Sequence, residues 1–513
     1  MTSDVFSLEK QKLAIKNIIT SCVDALSSGV EVHGAILDSK GELIEAIGPN
    51  PLHYSGIEAT VKSARSYLVP KNGETLITND PYSGNTRLCD LLLIQGVFGR
   101  QQANELRYYI AIQLSLPQLL NKGDKTLSTN VEEEGFRIPP TPLEQNGVVN
   151  PEIVNYLCQS KIKYENLVTL LDKARGALKM GAQHFSLLET KMGRDLFTKG
   201  LDELRKYSEK LMRKALHEIP DGEYGATEFI ENDGFGNKNL RIQCKLLVQG
   251  ENILVSFLGT TKQTTGPYNC NYATTLGACF WVLRSLLKRD IPINAGAFKA
   301  FSIEAPDGTL VNAKYPAPLL GGYYETSMRI VDALNVILNK ALPSEYPAQN
   351  GGSSSINIFK FGGILFEDRL GTGGGATKNK NGSSAILNQL QNYPVLSVEE
   401  IEENFPIQVI HSSPRFSSGG DGRHQGGDGL SRCYKFLAEG QVALLSDRRT
   451  HKPRGLFGGG AGMPAEISFI SQNGEKKILN DKVVIKIAAG DLININTPGG
   501  GGWGKKEDPE GSS

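Results

Sequence analysis

The sequence predicts a mixed α+β protein with several sheets, a helical hairpin in mid-chain and a glycine-rich, β-rich C-terminal part. Three observations predict it. Short apolar or alternating runs, such as Leu91-Leu92-Leu93-Ile94 and Val483-Val484-Ile485-Lys486-Ile487, recur along the chain and have the length and composition of strands. Between 152 and 218 the apolar residues adopt the helical period instead. Glycines then crowd into three clusters between His411 and Gly504. A chain of 513 residues is too long for one simple core, so two to four subdomains are expected. The composition shifts divide it into an N-terminal α/β part (1–150), the hairpin (151–220), a central α/β part (221–360), the glycine-rich part (361–504) and a disordered tail (505–513).

Taken in order, Leu8, Ile15, Ile19, Cys22 and Leu26 fall on one face of a helix over 8–26, with Ser7 placed to cap it. Gly34–Asp38 and Gly41–Ile44 flank Ser39-Lys40 as a hairpin. Leu76–Tyr82 reads as a strand entering a proline turn, and Leu91–Ile94 as a buried strand. Leu167, Leu170, Leu171, Ala174 and Leu178 make one helical stripe, and Phe197, Leu201, Leu204, Leu211 and Ala215 another. The break falls near Gly193, and Pro220-Asp221-Gly222 ends the second helix. Leu240–Val248 and Ile253–Phe257 surround Gln249-Gly250 as a second hairpin. Helices follow at 272–288 and 326–341, and 371–384 reads as a mobile loop.

The charge balance is 55 basic against 55 acidic residues, which argues against a binder of nucleic acid or anionic membrane. No run of 18 apolar residues exists to span a bilayer. Met1–Phe6 lacks the basic start and apolar core of a secretory signal. Seven scattered cysteines without a C-x-x-C pair read as buried thiols in a reducing compartment, not as a four-cysteine zinc site. A globular, cytoplasmic protein is expected.

Four stretches carry chemistry. In Asn79–Asp90 an Asp-Pro step, a glycine turn and a second Asp bring Asp80 and Asp90 into one loop. That pattern suits a bound cation or a general base, and equally an Asx turn capping a strand. Arg423, His424 and Asp428 sit among glycines, where His shuttles protons and Arg clamps anions, unless they are surface hydrogen-bonders. Gly259-Thr260-Thr261 offers hydroxyls to a pocket or marks a strand-to-loop turn. The glycine clusters themselves permit φ > 0 and close backbone approach, predicting tight loops about one β-rich unit. Gly499–Gly504 with Lys505 imitates a phosphate loop. However, Lys506 stands where Ser or Thr would hold Mg²⁺ and only a polar tail follows, so no ATP site is read here.

Ser418–Gly429, Arg449–Gly459 and Thr497–Gly502 resemble, in order, three motifs of the hydantoinase B/oxoprolinase family. Asn79–Asp90, Glu134–Pro140, Ser256–Thr261, Gly266–Asn269 and Pro51-Leu52-His53 are similar to further family segments, so the resemblance covers almost the whole chain. It implies the B-type subunit of an ATP-dependent cyclic-amide hydrolase. A separate hydantoinase A-type subunit would bind ATP and phosphorylate the ring carbonyl of a 5-oxoproline- or hydantoin-like substrate. The B subunit would add water, aided by a divalent metal, within a hetero-oligomer. The implied catalytic set is Asp80, Asp90, Glu134, His424 and Asp428; Arg87, Arg423, Thr260 and Asn269 would contact substrate or an anion.

Departures from the pattern matter. Arg87 stands where the family has a metal-binding His, Asp90 keeps its ligand position, Ser256 replaces Asp, and Ala111–Gln118 lacks the expected His-x-x-Asp. A guanidinium repels a divalent cation, so the family's metal site is lost or rebuilt. Two readings of Arg87 stay open: it holds an anion, or it pairs with Asp90. The departures also keep alive a degenerate scaffold subunit and an ATP-dependent ketone carboxylase. On the hydrolytic reading, loops distant in sequence, drawn close by glycine, wall one shared cavity.

Overall fold

Four sheets carry the described residues, three wholly antiparallel and one mixed. The structure, a computed structural model, describes residues 2–26, 30–99, 105–119, 127–160, 164–343, 345–362, 364–390, 395–479 and 482–506. The expected disordered tail falls mostly outside them. The first sheet has seven strands, in the order Leu43–Ile47, Glu31–Asp38, Leu106–Ser115, Asp90–Phe98, Thr75–Thr78, Thr141–Gln145 and Val148–Val149. Its three central strands are apolar on both faces because both faces are covered. Ile36, Leu91, Leu93, Ile110 and Ile112 pack against Ile15 and Ile19 of helix Thr2–Asp24 and against helices Tyr164–Met192 and Arg194–Leu216. The other face, with Ala35, Leu37, Leu92, Ile94 and Ala111, meets helix Leu52–Tyr67. It also shares a core with helices Tyr272–Arg284 and Ser327–Ala341 and with the second sheet, whose strands run in the order Ser302–Glu304, Asn252–Ser256, Lys238–Gln249 and Gly222–Asn232.

The expected fold class holds: mixed α+β, with nine helices in the described residues and a C-terminal half rich in strands. The long helices part at Gly193, whose φ of 80° lies in the left-handed region glycine tolerates. Both expected hairpins form: Glu31–Asp38 with Leu43–Ile47, and Lys238–Gln249 with Asn252–Ser256. The first helix begins at Thr2, so Ser7 lies inside it and does not cap it. All seven cysteines are free thiols, six of them buried. Among the described residues no helix is long and apolar enough to cross a membrane.

The C-terminal half holds the other two sheets and, beside them, a lattice of glycine backbones. Gly427 N–H donates to Gly374 O (2.8 Å), Gly500 N–H to Gly427 O (2.9 Å), Gly420 N–H to Gly500 O (2.8 Å) and Gly502 N–H to Gly460 O (2.9 Å). None of these glycines has φ in the left-handed region. They are required for approach: a Cβ on Gly500 would lie 2.0 Å from Gly374 O, and one on Gly373 2.0 Å from Gly427 O. The segment expected to be a mobile loop contributes to this lattice, with Gly371–Gly374 buried and hydrogen-bonded into it. Strand periodicity could not reveal that, because a glycine run carries no side-chain pattern to read.

Candidate functional site at one end of the first sheet

Register assembles a polar cluster from three strands. Glu31 and Asp90 each lie opposite Ser115, and His33 lies opposite Gln113. Side chains alternate along a strand, so Glu31, His33, Gln113, Ser115 and Asp90 share a face with Ala35, Ala111 and Leu92. That face meets the first turn of helix Leu52–Tyr67, which presents His53. The Asn79–Asp90 loop adds Thr86 and Arg87, and the π-helical turn Gly322–Thr326 adds Tyr323 and Tyr324. Such one-turn widenings of a helix occur often at functional sites.

Arg87 and Asp90 form a bidentate pair, Nε to Oδ2 at 2.9 Å and Nη2 to Oδ1 at 2.8 Å, with the side chains 5% and 0% exposed. The guanidinium lies 4.0 Å over the Tyr323 ring and donates to Tyr324 Oη at 3.0 Å. Ser115 Oγ donates to Asp90 Oδ1 at 2.6 Å. Burial alone would raise the Asp90 carboxyl, but the charge of Arg87 and these hydrogen bonds hold it well below the usual carboxylate range.

His53 is threaded into the same network. Its Nδ1 is 2.7 Å from Thr86 Oγ1, which donates to Asp90 Oδ2 at 3.0 Å. Its Nε2 is 3.0 Å from Tyr323 Oη, which accepts from Asn50 Nδ2 at 2.7 Å. Burial pushes the His53 imidazole down to about 4, so it is neutral at pH 7. His33 is buried and likewise held well below its ordinary value, by burial first and then by His53. Glu31 lies between the histidines, its Oε1 3.8 Å from His33 Nε2 and 3.7 Å from His53 Nε2. Burial raises its carboxyl, partly opposed by Arg87.

The metal position implied by the family pattern does not fit here, because Arg87 fills it and takes both Asp90 oxygens. A neighbouring set does fit a metal. Ligand atoms of Glu31, His33 and His53 lie within 4.8 Å of one another, and Glu31 Oε1, His33 Nδ1 and both amide atoms of Gln113 are buried without a hydrogen-bond partner among the described residues. These three residues are a possible metal site.

Of the other candidates, Asp80 caps the Pro81–Ser83 turn through Tyr82 N–H and pairs with Arg137 at 2.9 Å. Glu134 accepts the N–H groups of Leu319 and Leu320 and the Ser128 hydroxyl. Burial raises its carboxyl to about 7. Asn269 is occupied by Thr264, Gly266 and Pro318 backbone, and Thr260 by Gln243 backbone. Asp428 accepts from Ser418 and Gly419 N–H within the glycine lattice. The His424 backbone bridges to Trp503, and Arg423 is exposed. No contact among the described residues joins His424 to Asp90. The glycine loops draw together, but the walls around Asp90 come from elsewhere. The C-terminal half reaches the cluster through Arg369, 3.4 Å from Tyr324 Oη, and through Ser354, whose hydroxyl donates to Tyr324 O at 2.5 Å.

The hydantoinase B/oxoprolinase family pattern matches residues 20–506. The chain belongs to this family. It is 30% identical over 511 residues to the uncharacterized protein MJ0963 of Methanocaldococcus jannaschii, covering 98% of this chain and 89% of that one. It is 26% identical over 500 residues to 5-oxoprolinase of Dictyostelium discoideum, covering 96% of this chain but only 39% of the relative. The ATP-dependent caprolactamase from Pseudomonas jessenii shares the fold, with a TM-score of 0.87 at 22% identity over 98% of this chain and 91% of that one. Within this family, Glu31, His33, Asn50, Tyr323 and Tyr324 are members of the cluster that motif reading missed. A signal existed: Glu31 and His33 stand at i and i+2 beside an apolar run, and His33 is one of seven histidines.

Proposed function

We propose that this chain is the B-type subunit of an ATP-dependent cyclic-amide hydrolase, adding water to a 5-oxoproline- or hydantoin-like ring that an ATP-using partner has activated. Membership of the hydantoinase B/oxoprolinase family over residues 20–506 carries the reading. The match to 39% of 5-oxoprolinase fits a division of labour in which the remaining work lies outside this region.

The cluster's own residues suit water addition. His53 is neutral and held by the Thr86–Asp90 arm with Nδ1 as donor, which leaves the Nε2 lone pair facing Tyr323 and Glu31. Nε2 is thus the ring atom placed to ligate an ion. Tyr323, fixed by Asn50, stands beside that atom with a hydroxyl to orient an incoming water, and Arg87 keeps Asp90 ionised at the far end. Glu31, His33 and His53 would hold a divalent ion, whose chemistry is to polarise an oxygen and acidify a water.

The Arg87–Asp90 pair favours a second reading, a subunit whose inherited centre has closed and which serves as a scaffold. Copurification from the host with an A-type subunit, followed by phosphate-release assays, separates the two. Turnover of ATP that rises with 5-oxoproline or a hydantoin, with ring-opened product, is the expected result. Dependence on bicarbonate and a ketone would make the complex a carboxylase, and an inert complex would leave the scaffold.

A further inference from the structure

We propose that Glu31, His33 and His53 bind one divalent transition-metal ion, zinc by donor chemistry, with Arg87, Asp90 and Thr86 converted into its outer shell.

The spacing is close to that of a shared ion. Ligands bonded at zinc's usual distances in a tetrahedron stand about 3.4 Å apart. Glu31 Oε1 is 3.8 Å from His33 Nε2 and 3.7 Å from His53 Nε2. Two imidazoles and one carboxylate select zinc and its first-row neighbours over Mg²⁺ or Ca²⁺, which prefer all-oxygen shells. Three ligands leave a position open, as catalytic sites require.

An orphaned polar atom supplies an independent argument. Among the described residues Glu31 Oε1 is buried without a hydrogen-bond partner, and a buried group left unpaired costs stability. An ion bonded to Glu31 Oε1 satisfies that atom directly.

The outer shell is already built. A metal-binding His characteristically donates its second ring N–H to a fixed acceptor, which sets the tautomer and raises its basicity. His53 does this through Thr86 Oγ1 and on to Asp90 Oδ2. Arg87 is an opposing charge in the same cluster, and its pairing with both Asp90 oxygens screens it from a cation. Binding exchanges two contacts for metal bonds: the Asn50 N–H on His33 Nε2 at 3.0 Å, and Tyr323 Oη beside His53 Nε2.

This inference rests on the hydrolytic reading only for its purpose, and the test keeps them apart. The full chain, purified without chelator, is assayed for metal by mass spectrometry, then stripped and titrated with Zn²⁺ and with Co²⁺, whose visible absorption reports tetrahedral imidazole and carboxylate ligation. One ion per chain is expected, with its affinity falling at least 100-fold in Glu31→Gln and His33→Asn and 10- to 100-fold in Thr86→Val. Circular dichroism of each stripped variant establishes that it is folded. Substoichiometric metal in the wild type, or folded Glu31→Gln binding as tightly as wild type, overturns the site. A chain that hydrolyses with its partner but binds no ion sinks this inference and keeps the function; a metal-loaded chain without turnover does the reverse.

Discussion

At Arg87 and Asp90 two buried charges depend on each other, so removing one strands the other in a medium that solvates it poorly. Arg87→Met is expected to lower the unfolding free energy by about 3–5 kcal/mol, and Arg87→Met combined with Asp90→Asn to recover part of that. Urea denaturation of the two variants measures both, and equal losses would mean that the pair is not coupled. Glu134 makes a pH prediction. Its carboxyl is raised by burial from 4.5 to about 7, so between those values the native state binds a proton more readily than the unfolded chain does. Its contribution to stability therefore falls as pH climbs from 4.5 to about 7, by about 3 kcal/mol in all, and is flat above. The wild-type curve minus that of Glu134→Gln should show this slope in denaturation at pH 5, 6 and 8; a flat difference would overturn it. Single residues were the least legible scale in the sequence. Asp80, Glu134, Asn269 and Asp428 all carry chemistry on paper, yet their oxygens and amides are engaged by backbone or Arg137, which only the folded chain reveals. Glu31 and His33 belong to no matched motif and meet His53 only through register and helix packing.

Elements were read more easily, because periodicity is a property of a whole face. The stripes at 167–178 and 197–215 lie on helices Tyr164–Met192 and Arg194–Leu216, and Leu167, Leu171, Leu178, Phe197, Leu201 and Leu204 are buried in one core with the first sheet, while Leu170 and Leu211 are half-buried. Glycine was the harder case, since one residue type serves opposite ends in two elements. Gly176 lies in helix Tyr164–Met192 with nothing within 4 Å of where a Cβ would stand, so it only loosens the helix. Gly176→Ala should stabilise the protein by about 0.5–1 kcal/mol. Gly500 lies in the lattice, where the same methyl would meet Gly374 O at 2.0 Å and push apart strands of backbone that hydrogen-bond to one another. Gly500→Ala should cost about 3 kcal/mol or more. Thermal melts of the two variants have opposite expected signs, and a Gly500→Ala protein as stable as wild type would remove the close-packing account of the glycine clusters.

For the molecule as a whole, the composition shifts suggest separable parts, whereas the packing does not separate them. Ala35, Leu37 and Leu92 of the first sheet belong to one continuous apolar core with Ile242 and Leu246 of the second, and with Ile356, Ile358 and Ala443 of the third, whose strands run in the order Ile364–Arg369, Ile356–Phe361, Gly440–Leu444 and Val483–Ile487. Polar ties run the same way: Glu231 accepts the N–H groups of Arg449, Thr450 and His451, and Lys482 donates to Asn232 O at 2.8 Å. Ser353 and Ser354 donate to Glu325, next to the tyrosines that touch Arg87 and His53. Cutting the chain after 355 would therefore leave Ile330, Leu334 and their neighbours without Ile356, Ile358 and Ala443, which belong to the same core. Such a fragment should lack a cooperative transition, while the intact chain should unfold with coincident near-ultraviolet and far-ultraviolet dichroism curves. Two well-separated transitions in the intact chain, or a fragment that melts cooperatively, would mean that the glycine-rich half is an accessory. Coincidence would mean that Tyr323 and Tyr324 are set in place only when that half has folded.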